Sequence, residues 1–466
     1  MRYVSTRGDA PILGFEDVLL KGLANDGGLY WPETFPQLSE DQLRGFVDMP
    51  YVQVAAEVMY PFVADCYERA EWDDLVKDAY KHFAHAEVAP LRQIGAGEWL
   101  LELFHGPTLA FKDVAMQLLG PLFDRALERR DRHVTVIGAT SGDTGSAAIE
   151  ALRGRDRVSV VIMHPHNRTS DVQRRQMTTV LDGNIHNIAL EGTFDDCQAA
   201  VKAMFAHESF ADKVGMTGVN SINWARVMAQ TVYYVTAAVA LGAPDRAVSF
   251  AVPTGNFGDI LAGYVAKRMG VPIDQLIIAT NENDILDRAL KTGRYEKSGV
   301  VATDSPSMDI EVSSNFERLL FETGGRDAGA VKRAMSSLGQ SGSFTIEEQA
   351  LTAIRTDFDA ARADQKAMSA AIKQVSSDSA CLIDPHTAVG IAAGRSLPHK
   401  DGVPMVYLST AHPAKFPVAV NEATGQTPDL PPHMADLFER EERFTVLPND
   451  LGALEKFIAD AVAGDA

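Results

Sequence analysis

Apolar positions along this 466-residue chain recur in two rhythms. Short continuous apolar runs at 134–138, 158–163 and 185–190 read as buried strands. Between and after them, 145–152, 170–180 and 194–205 repeat at helical spacing. The alternation returns with a strand at 248–252, a helix at 256–269 and a strand at 276–279, and one more buried strand follows at 405–408. Parallel strands need crossovers of about this length, whereas hairpins do not, so the pattern predicts parallel sheets covered by helices. The expected class is α/β, with two α/β domains and a helix-rich amino-terminal domain. The expected boundaries are 1–95 for the amino-terminal domain and 126–235 for a small α/β domain. Residues 96–125 and 236–466 form a large α/β domain carrying a polar, helical insertion at about 300–380. No internal repeat of fixed period is present.

One helix contradicts its own pattern. After FHGPTLAFKD, residues 104–113, Phe111, Ala115, Leu118 and Leu122 share a stripe, and Lys112, Met116, Leu119 and Phe123 share the next. Asp113, Gln117, Gly120 and Asp124 form the polar face. Lys112 therefore opens a stripe that is otherwise hydrocarbon, and lysine is rarely buried without a special reason. Burial and the positive end of a helix dipole both disfavour an ammonium, and a neutral amine is what Schiff-base chemistry needs. On the stripe alone, a lysine whose head snorkels to solvent fits equally well. Lys415 is a rival, but prolines at 413 and 417 place it in a constrained loop.

Composition narrows the classes of function. The chain is 46% hydrophobic and 23% charged, with 43 basic against 63 acidic residues and a net charge of −20. Such a surface repels nucleic acid and anionic membranes, so neither is expected as a partner. Three cysteines, Cys66, Cys197 and Cys381, lie far apart without CxxC spacing, which argues against a disulfide framework or a zinc cluster. No metal site is expected. The start MRYVSTRGDAP has no apolar signal-peptide core, and residues 227–241 are too short and polar for a span, so a cytoplasmic enzyme is expected.

Four strand-to-helix turns carry candidate chemistry, because carboxyl ends of parallel strands are where such folds bind ligands. Gly138-Ala-Thr-Ser-Gly-Asp-Thr-Gly145 sets glycines and hydroxyls before a helix, an anion cradle without the GK[ST] of a nucleotide loop. Pro253-Thr-Gly-Asn-Phe-Gly-Asp259 suits a nest of main-chain N–H groups. In Asn220-Ser-Ile-Asn-Trp-Ala-Arg226, Asn220, Ser221 and Arg226 make a phosphate or carboxylate clamp if a helix opens beside Asn220 and Ser221. Leu408-Ser-Thr-Ala-His-Pro-Ala-Lys-Phe416 ends a buried strand in hydroxyls, which equally describes a helix cap.

Taken together, HGPTLAFKD, GATSGDTGSAA, SINWARVMAQ, PTGNFGD and LSTAHPAKFP resemble the threonine synthase family in order and spacing. The opening STRG…FEDVLLKGLANDGGLYWPE is similar to the amino terminus of its bacterial and fungal branch, which has a long amino-terminal domain. That family has the fold type II architecture of pyridoxal-phosphate enzymes, as in tryptophan synthase β. The resemblance implies that Lys112 holds pyridoxal 5'-phosphate covalently and later acts as acid and base. It implies that Gly255, Asn256, Phe257, Gly258 and Asp259 bind the cofactor phosphate and that Thr410 meets the pyridine nitrogen. Thr140, Ser141, Gly142, Asp143 and Thr144 would receive the substrate carboxylate, and Asn220, Ser221 and Arg226 the phosphate of O-phospho-L-homoserine. Asp143 stands where many relatives of the wider superfamily place an asparagine beside the cofactor O3′, so Asp143 also counts among the cofactor contacts.

The implied reaction eliminates phosphate from Cγ and adds water at Cβ, giving L-threonine. Two anions on the substrate and one on the cofactor match the three cradles. A monomer or homodimer is expected. A phospho-lyase releasing 2-oxobutyrate, a β-elimination enzyme and a non-catalytic relative that binds the cofactor remain open at this point.

Overall fold

The computed structural model describes residues 1–218 and 220–464. They fall into two compact units. The larger holds Met1–Leu19, Leu23–Ala115 and Ser221–Pro428, and the smaller Leu20–Gly22, Met116–Asn220 and Asp429–Ala466.

The larger unit is organised on a six-stranded sheet in the order Phe358–Arg362, Ile273–Thr280, Val248–Pro253, Met405–Ser409, Glu98–Glu102, Leu91–Gly95. Only the last pairing is antiparallel. Val248–Pro253 and Met405–Ser409 are buried along their whole length, as continuous apolar runs under helices on both faces must be. Helix Pro385–Arg395 lies close against them because it is small there: a Cβ added at Gly394 would sit 2.7 Å from the Tyr407 ring. Helices Trp224–Ala240 and Gly258–Arg268 approach equally closely at Gly263, where a Cβ would sit 2.7 Å from the Tyr234 ring.

The first 95 residues depart from the expectation of a separate domain. They supply Leu91–Gly95 to the large sheet, and their aromatic side chains surround Trp224. Tyr3, Trp31 and Phe62 place ring centroids 6.0, 5.3 and 5.5 Å from the Trp224 ring. A shared aromatic core removes the boundary that a linker would have marked. The insertion at 300–380 is not wholly helical, since Phe358–Arg362 extends the sheet beside Ile273–Thr280.

The smaller unit is a five-stranded parallel sheet in the order Thr445–Pro448, Ile185–Glu191, Val158–Pro165, Val134–Ala139, Met216–Thr217. Ile137, Val161, Met163, Ile188 and Leu190 pack on one face against Cys197, Met204, Leu454 and Ile458. Three boundaries differ from the sequence reading. Residues 116–125, expected in the large domain, belong to the smaller unit. The carboxyl-terminal segment, expected in the large domain, belongs here because Thr445–Pro448 pairs with Ile185–Glu191 and Arg174 meets Glu442 at 2.9 Å. Residues 221–235, expected in the small domain, belong to the larger unit because helix Trp224–Ala240 packs in its core.

Candidate active site

Lys112 is the first residue of helix Lys112–Arg130 and is almost wholly buried. Its position is set by a short antiparallel splice. The Phe111 N–H donates to the Thr410 carbonyl at 2.8 Å, the His412 N–H donates to the Leu109 carbonyl at 3.0 Å, and Ala110 bridges Ala411. The splice brings the Lys112 and Thr410 backbones together although nearly 300 residues of chain separate them. Asp113, assigned to the polar helix face, is buried; its carboxylate accepts from the Thr108 N–H at 2.7 Å and the Thr108 hydroxyl at 2.6 Å. Lys415 is fully buried and donates to the Thr108 carbonyl at 2.8 Å. The rival lysine therefore braces the loop that delivers Lys112.

The turn after Val248–Pro253 is held from behind. Ser313 Oγ donates to the Gly255 carbonyl at 2.6 Å, and the Asn315 N–H and Nδ2 both donate to the Asn256 carbonyl at 3.0 Å. In a planar trans peptide the carbonyl and the following N–H point in opposite directions. The N–H groups of Asn256 and Phe257 therefore face away from segment 313–315. Phe257 is left-handed at φ 64°, and helix Gly258–Arg268 starts immediately after it, so successive N–H groups and a helix N-terminus converge. A phosphate fits such a cradle.

Asp259 behaves differently from its neighbours. Its carboxylate accepts from the Tyr233 hydroxyl and, at 2.9 Å, from the Tyr234 hydroxyl. Burial pushes its pKa up to about 6, against the opposing pull of both phenols and of the Lys112 charge. Both phenols bond Oδ1, and an ionised carboxylate repels a phosphate dianion, so the group that residue 259 offers a phosphate is its main-chain N–H.

The clamp around residue 220 also differs in detail. Helix Trp224–Ala240 is capped by Asn223, whose side chain accepts from the Ala225 N–H at 3.1 Å. Asn220 and Ser221 precede that cap; Asn220 is exposed and Ser221 half-buried. Arg226 lies in the first turn and is buried, which lowers its pKa to about 10. It remains a cation at neutral pH. The Ser221 carbonyl accepts from Asn315 Nδ2 at 3.1 Å, and a Cβ added at Gly258 would lie 3.8 Å from that same oxygen. The structure thus brings the two candidate anion loops of the larger unit into contact.

In the smaller unit the turn before helix Asp143–Leu152 is built around Thr140, whose hydroxyl oxygen accepts from the N–H groups of Gly142 and Gly145, both at 2.9 Å. Asp143 is buried and accepts from Gln173 Nε2 at 2.9 Å. Gly142, at φ 148°, could not carry a side chain, since a Cβ there would meet Gln173 at 2.5 Å. Ser141 and Thr144 are half-buried in the same turn.

Three supports escaped the sequence reading. Gln173 holds Asp143, and Ser313 to Arg318 hold the two loops of the larger unit. The third is Asp384-Pro-His-Thr387. His386 Nε2 accepts from the Ser307 N–H at 3.2 Å, so Nδ1 carries the proton donated to Asp384 at 2.7 Å. Thr387 reaches the Ser409 hydroxyl at 3.2 Å, next to Thr410. The signal for this last set was an aspartate followed by proline, a helix-start signature that reads as capping alone.

Family descriptions match three segments: "Threonine synthase N terminus" over residues 2–80, "Pyridoxal-phosphate dependent enzyme" over 86–407, and "Threonine synthase, C-terminal" over 387–458. The threonine synthase of Pseudomonas aeruginosa is 55% identical over 460 residues, covering 98% of each chain. The chain belongs to the threonine synthase family. Among solved structures, pyridoxal-phosphate-bound threonine synthase from Brucella melitensis superposes with a TM-score of 0.97 at 56% identity, covering 99% of each chain. Threonine synthase from Escherichia coli gives 0.83 at 30% identity, covering 99% of this chain and all of that one. This threonine synthase family member has the fold type II architecture and pyridoxal phosphate as its cofactor. The residues present fit that group: a buried helix-start lysine and a left-handed turn with converging N–H groups. Among the described residues no cluster could hold a metal ion, and no helix is long and apolar enough to cross a membrane.

Proposed function

We propose that the chain converts O-phospho-L-homoserine and water to L-threonine and phosphate, in the cytoplasm. The observation that carries this reading is the contact, within one unit, between the Gly255–Gly258 turn and the Ser221 loop, with Lys112 buried at a helix start in the same unit. Two adjoining anion cradles suit a phosphorylated cofactor and a phosphorylated substrate.

Pyridoxal phosphate, when bound, supplies the electron sink that acidifies the α and β carbons of the amino acid and lets a γ-phosphate depart. Lys112 would hold the cofactor and, once displaced from it by the substrate amine, would take the proton from Cα and return protons to the carbon chain. The N–H groups of Asn256, Phe257, Gly258 and Asp259 bind the cofactor phosphate. Thr410 would present a neutral hydroxyl to the pyridine nitrogen, which would leave that nitrogen less protonated than a carboxylate does. Arg226, with Asn220 and Ser221, takes the substrate phosphate and steadies it as it leaves from Cγ. The Thr140–Thr144 turn would receive the α-carboxylate on the N–H groups that Thr140 and Met163 do not occupy, and Asp143, fixed by Gln173, would serve the cofactor O3′.

The test is to incubate the purified holoenzyme with O-phospho-L-homoserine and score threonine, 2-oxobutyrate and phosphate together. Threonine and phosphate in equal amounts are expected. Phosphate with 2-oxobutyrate in place of threonine would make the chain a phospho-lyase, and turnover of unphosphorylated serine or threonine alone would overturn the phosphate clamp.

A further inference from the structure

Segment 313–318 lies within the stretch read from sequence as a polar insertion, yet Ser313, Asn315, Glu317 and Arg318 are buried. Asn315 and Arg318 have no exposed surface and Ser313 almost none. Asn315 Nδ2 donates to two carbonyls at once, Asn256 at 3.0 Å and Ser221 at 3.1 Å. Its Oδ1 accepts from Arg318, whose guanidinium also donates to the Ile222 carbonyl at 2.6 Å and to the Tyr30 carbonyl at 2.8 Å. One amide and one guanidinium thus touch the Gly255–Gly258 turn, the Ser221–Ile222 loop and the strand Tyr30–Pro32.

Neither side chain can exchange a lost partner for water. If the Asn256 carbonyl shifts, the buried Nδ2 group loses an acceptor and its bond to Ser221 must readjust, and the reverse holds for Ser221. Burial lowers the Arg318 pKa to about 9, which leaves it charged at neutral pH. Its hydrogen-bond partners among the described residues are carbonyl oxygens and an amide, and the adjacent Glu317 carboxylate is engaged by Thr6 and Arg7. A cation so placed adds positive potential to both loops.

From this geometry we infer that Asn315 and Arg318 are positioning residues that couple the cofactor-phosphate turn to the substrate-phosphate loop, so that an anion held on one loop tightens the other. The inference rests on the reading of Ser221 and Arg226 as the substrate-phosphate site.

The test compares the holoenzyme with Asn315→Asp, which still accepts from Arg318 but cannot donate to the two carbonyls, and with Arg318→Lys, which keeps the charge but loses the fork. Three quantities are read: the Kd of pyridoxal phosphate, the KM for O-phospho-L-homoserine, and the rate of cofactor loss with and without inorganic phosphate. In each variant Kd and KM should rise together, by about tenfold for one or two lost hydrogen bonds, with kcat falling by less. Inorganic phosphate should slow cofactor loss in the parent and not in the variants. A purely structural role would lower Tm and the active fraction and leave that phosphate effect intact, which would overturn the coupling. So would a rise in only one of the two constants. Ser221→Ala and Arg226→Gln separate the two levels. If they leave KM unchanged, the phosphate-site reading fails; if they raise KM while Asn315→Asp does not, the coupling alone fails.

Discussion

Lys415 Nζ donates to the Thr108 carbonyl at 2.8 Å, inside the loop that ends at Lys112. The two lysines share one neighbourhood, yet their positions assign them different work. Lys415 donates to a main-chain oxygen, and Lys112 opens a helix whose start is spliced to Thr410.

Lys112→Ala should therefore fold normally and lose turnover, while Lys415→Met should keep its covalent cofactor and lose stability. The cost expected for breaking a buried, charged hydrogen bond is about 2–3 kcal/mol. Borohydride reduction followed by peptide mapping checks this: the cofactor mass should appear on the peptide containing Lys112 in the parent and in Lys415→Met. Label on Lys415 would reverse the assignment.

Asp259 predicts a pH dependence. Burial raises its folded pKa from 3.8 to about 6, so the folded state binds the proton more tightly than the unfolded chain. Below about pH 4 both states are protonated and the group has no effect. Through the window up to about 6 stability falls as pH rises, and above it the full penalty, about 3 kcal/mol, is in place. Asp259→Asn keeps an acceptor for Tyr233 and Tyr234 and removes that penalty. Its urea-unfolding free energy should be flatter than the parent's between pH 4 and 7, and its cofactor affinity should be undiminished, because the main-chain N–H groups are untouched. A large loss of cofactor affinity would show that the carboxylate itself is needed.

Two glycines of one turn should differ sharply. A Cβ at Gly255 would lie 2.6 Å from the Ser307 carbonyl, a main-chain atom that cannot yield cheaply. At Gly258 the nearest atom is Asn315 Nδ2 at 3.4 Å, an ordinary contact. Gly255→Ala should raise the Kd for pyridoxal phosphate by at least about tenfold, and Gly258→Ala by a few-fold at most. Equal effects in a fluorescence titration would mean that the turn is not held by the Ser307 segment.

Gln173 fixes Asp143 through a 2.9 Å hydrogen bond. Gln173→Leu should lower kcat/KM by about tenfold and cost stability as well, about 2 kcal/mol, since it removes a buried donor and leaves a carboxylate oriented less well. Unchanged kinetics would separate Asp143 from the reaction.

Much of this protein could be read locally. Parallel strands buried on both faces leave continuous apolar runs, so the strands at 134, 158, 185, 248 and 405 were visible without coordinates. Lys112 stood out because a single charge interrupts a helical stripe, and the glycine-rich turns stood out because few other residues allow so close a backbone approach. Phe358–Arg362 was missed because an edge strand with an exposed aspartate and arginine lacks the apolar run.

Sequence by itself determined the α/β class, the lysine and the loops able to bind anions, since each follows from spacing within a few residues. Tertiary structure alone decided what holds them. Asn315 lies 59 residues from Asn256 and 94 from Ser221. Thr445–Pro448 joins a sheet whose other strands end more than two hundred residues earlier. The Asp259 carboxylate turns to two phenols on a neighbouring helix. No local pattern encodes these choices, because each depends on which distant carbonyl, strand edge or hydroxyl the folded chain brings within hydrogen-bond reach.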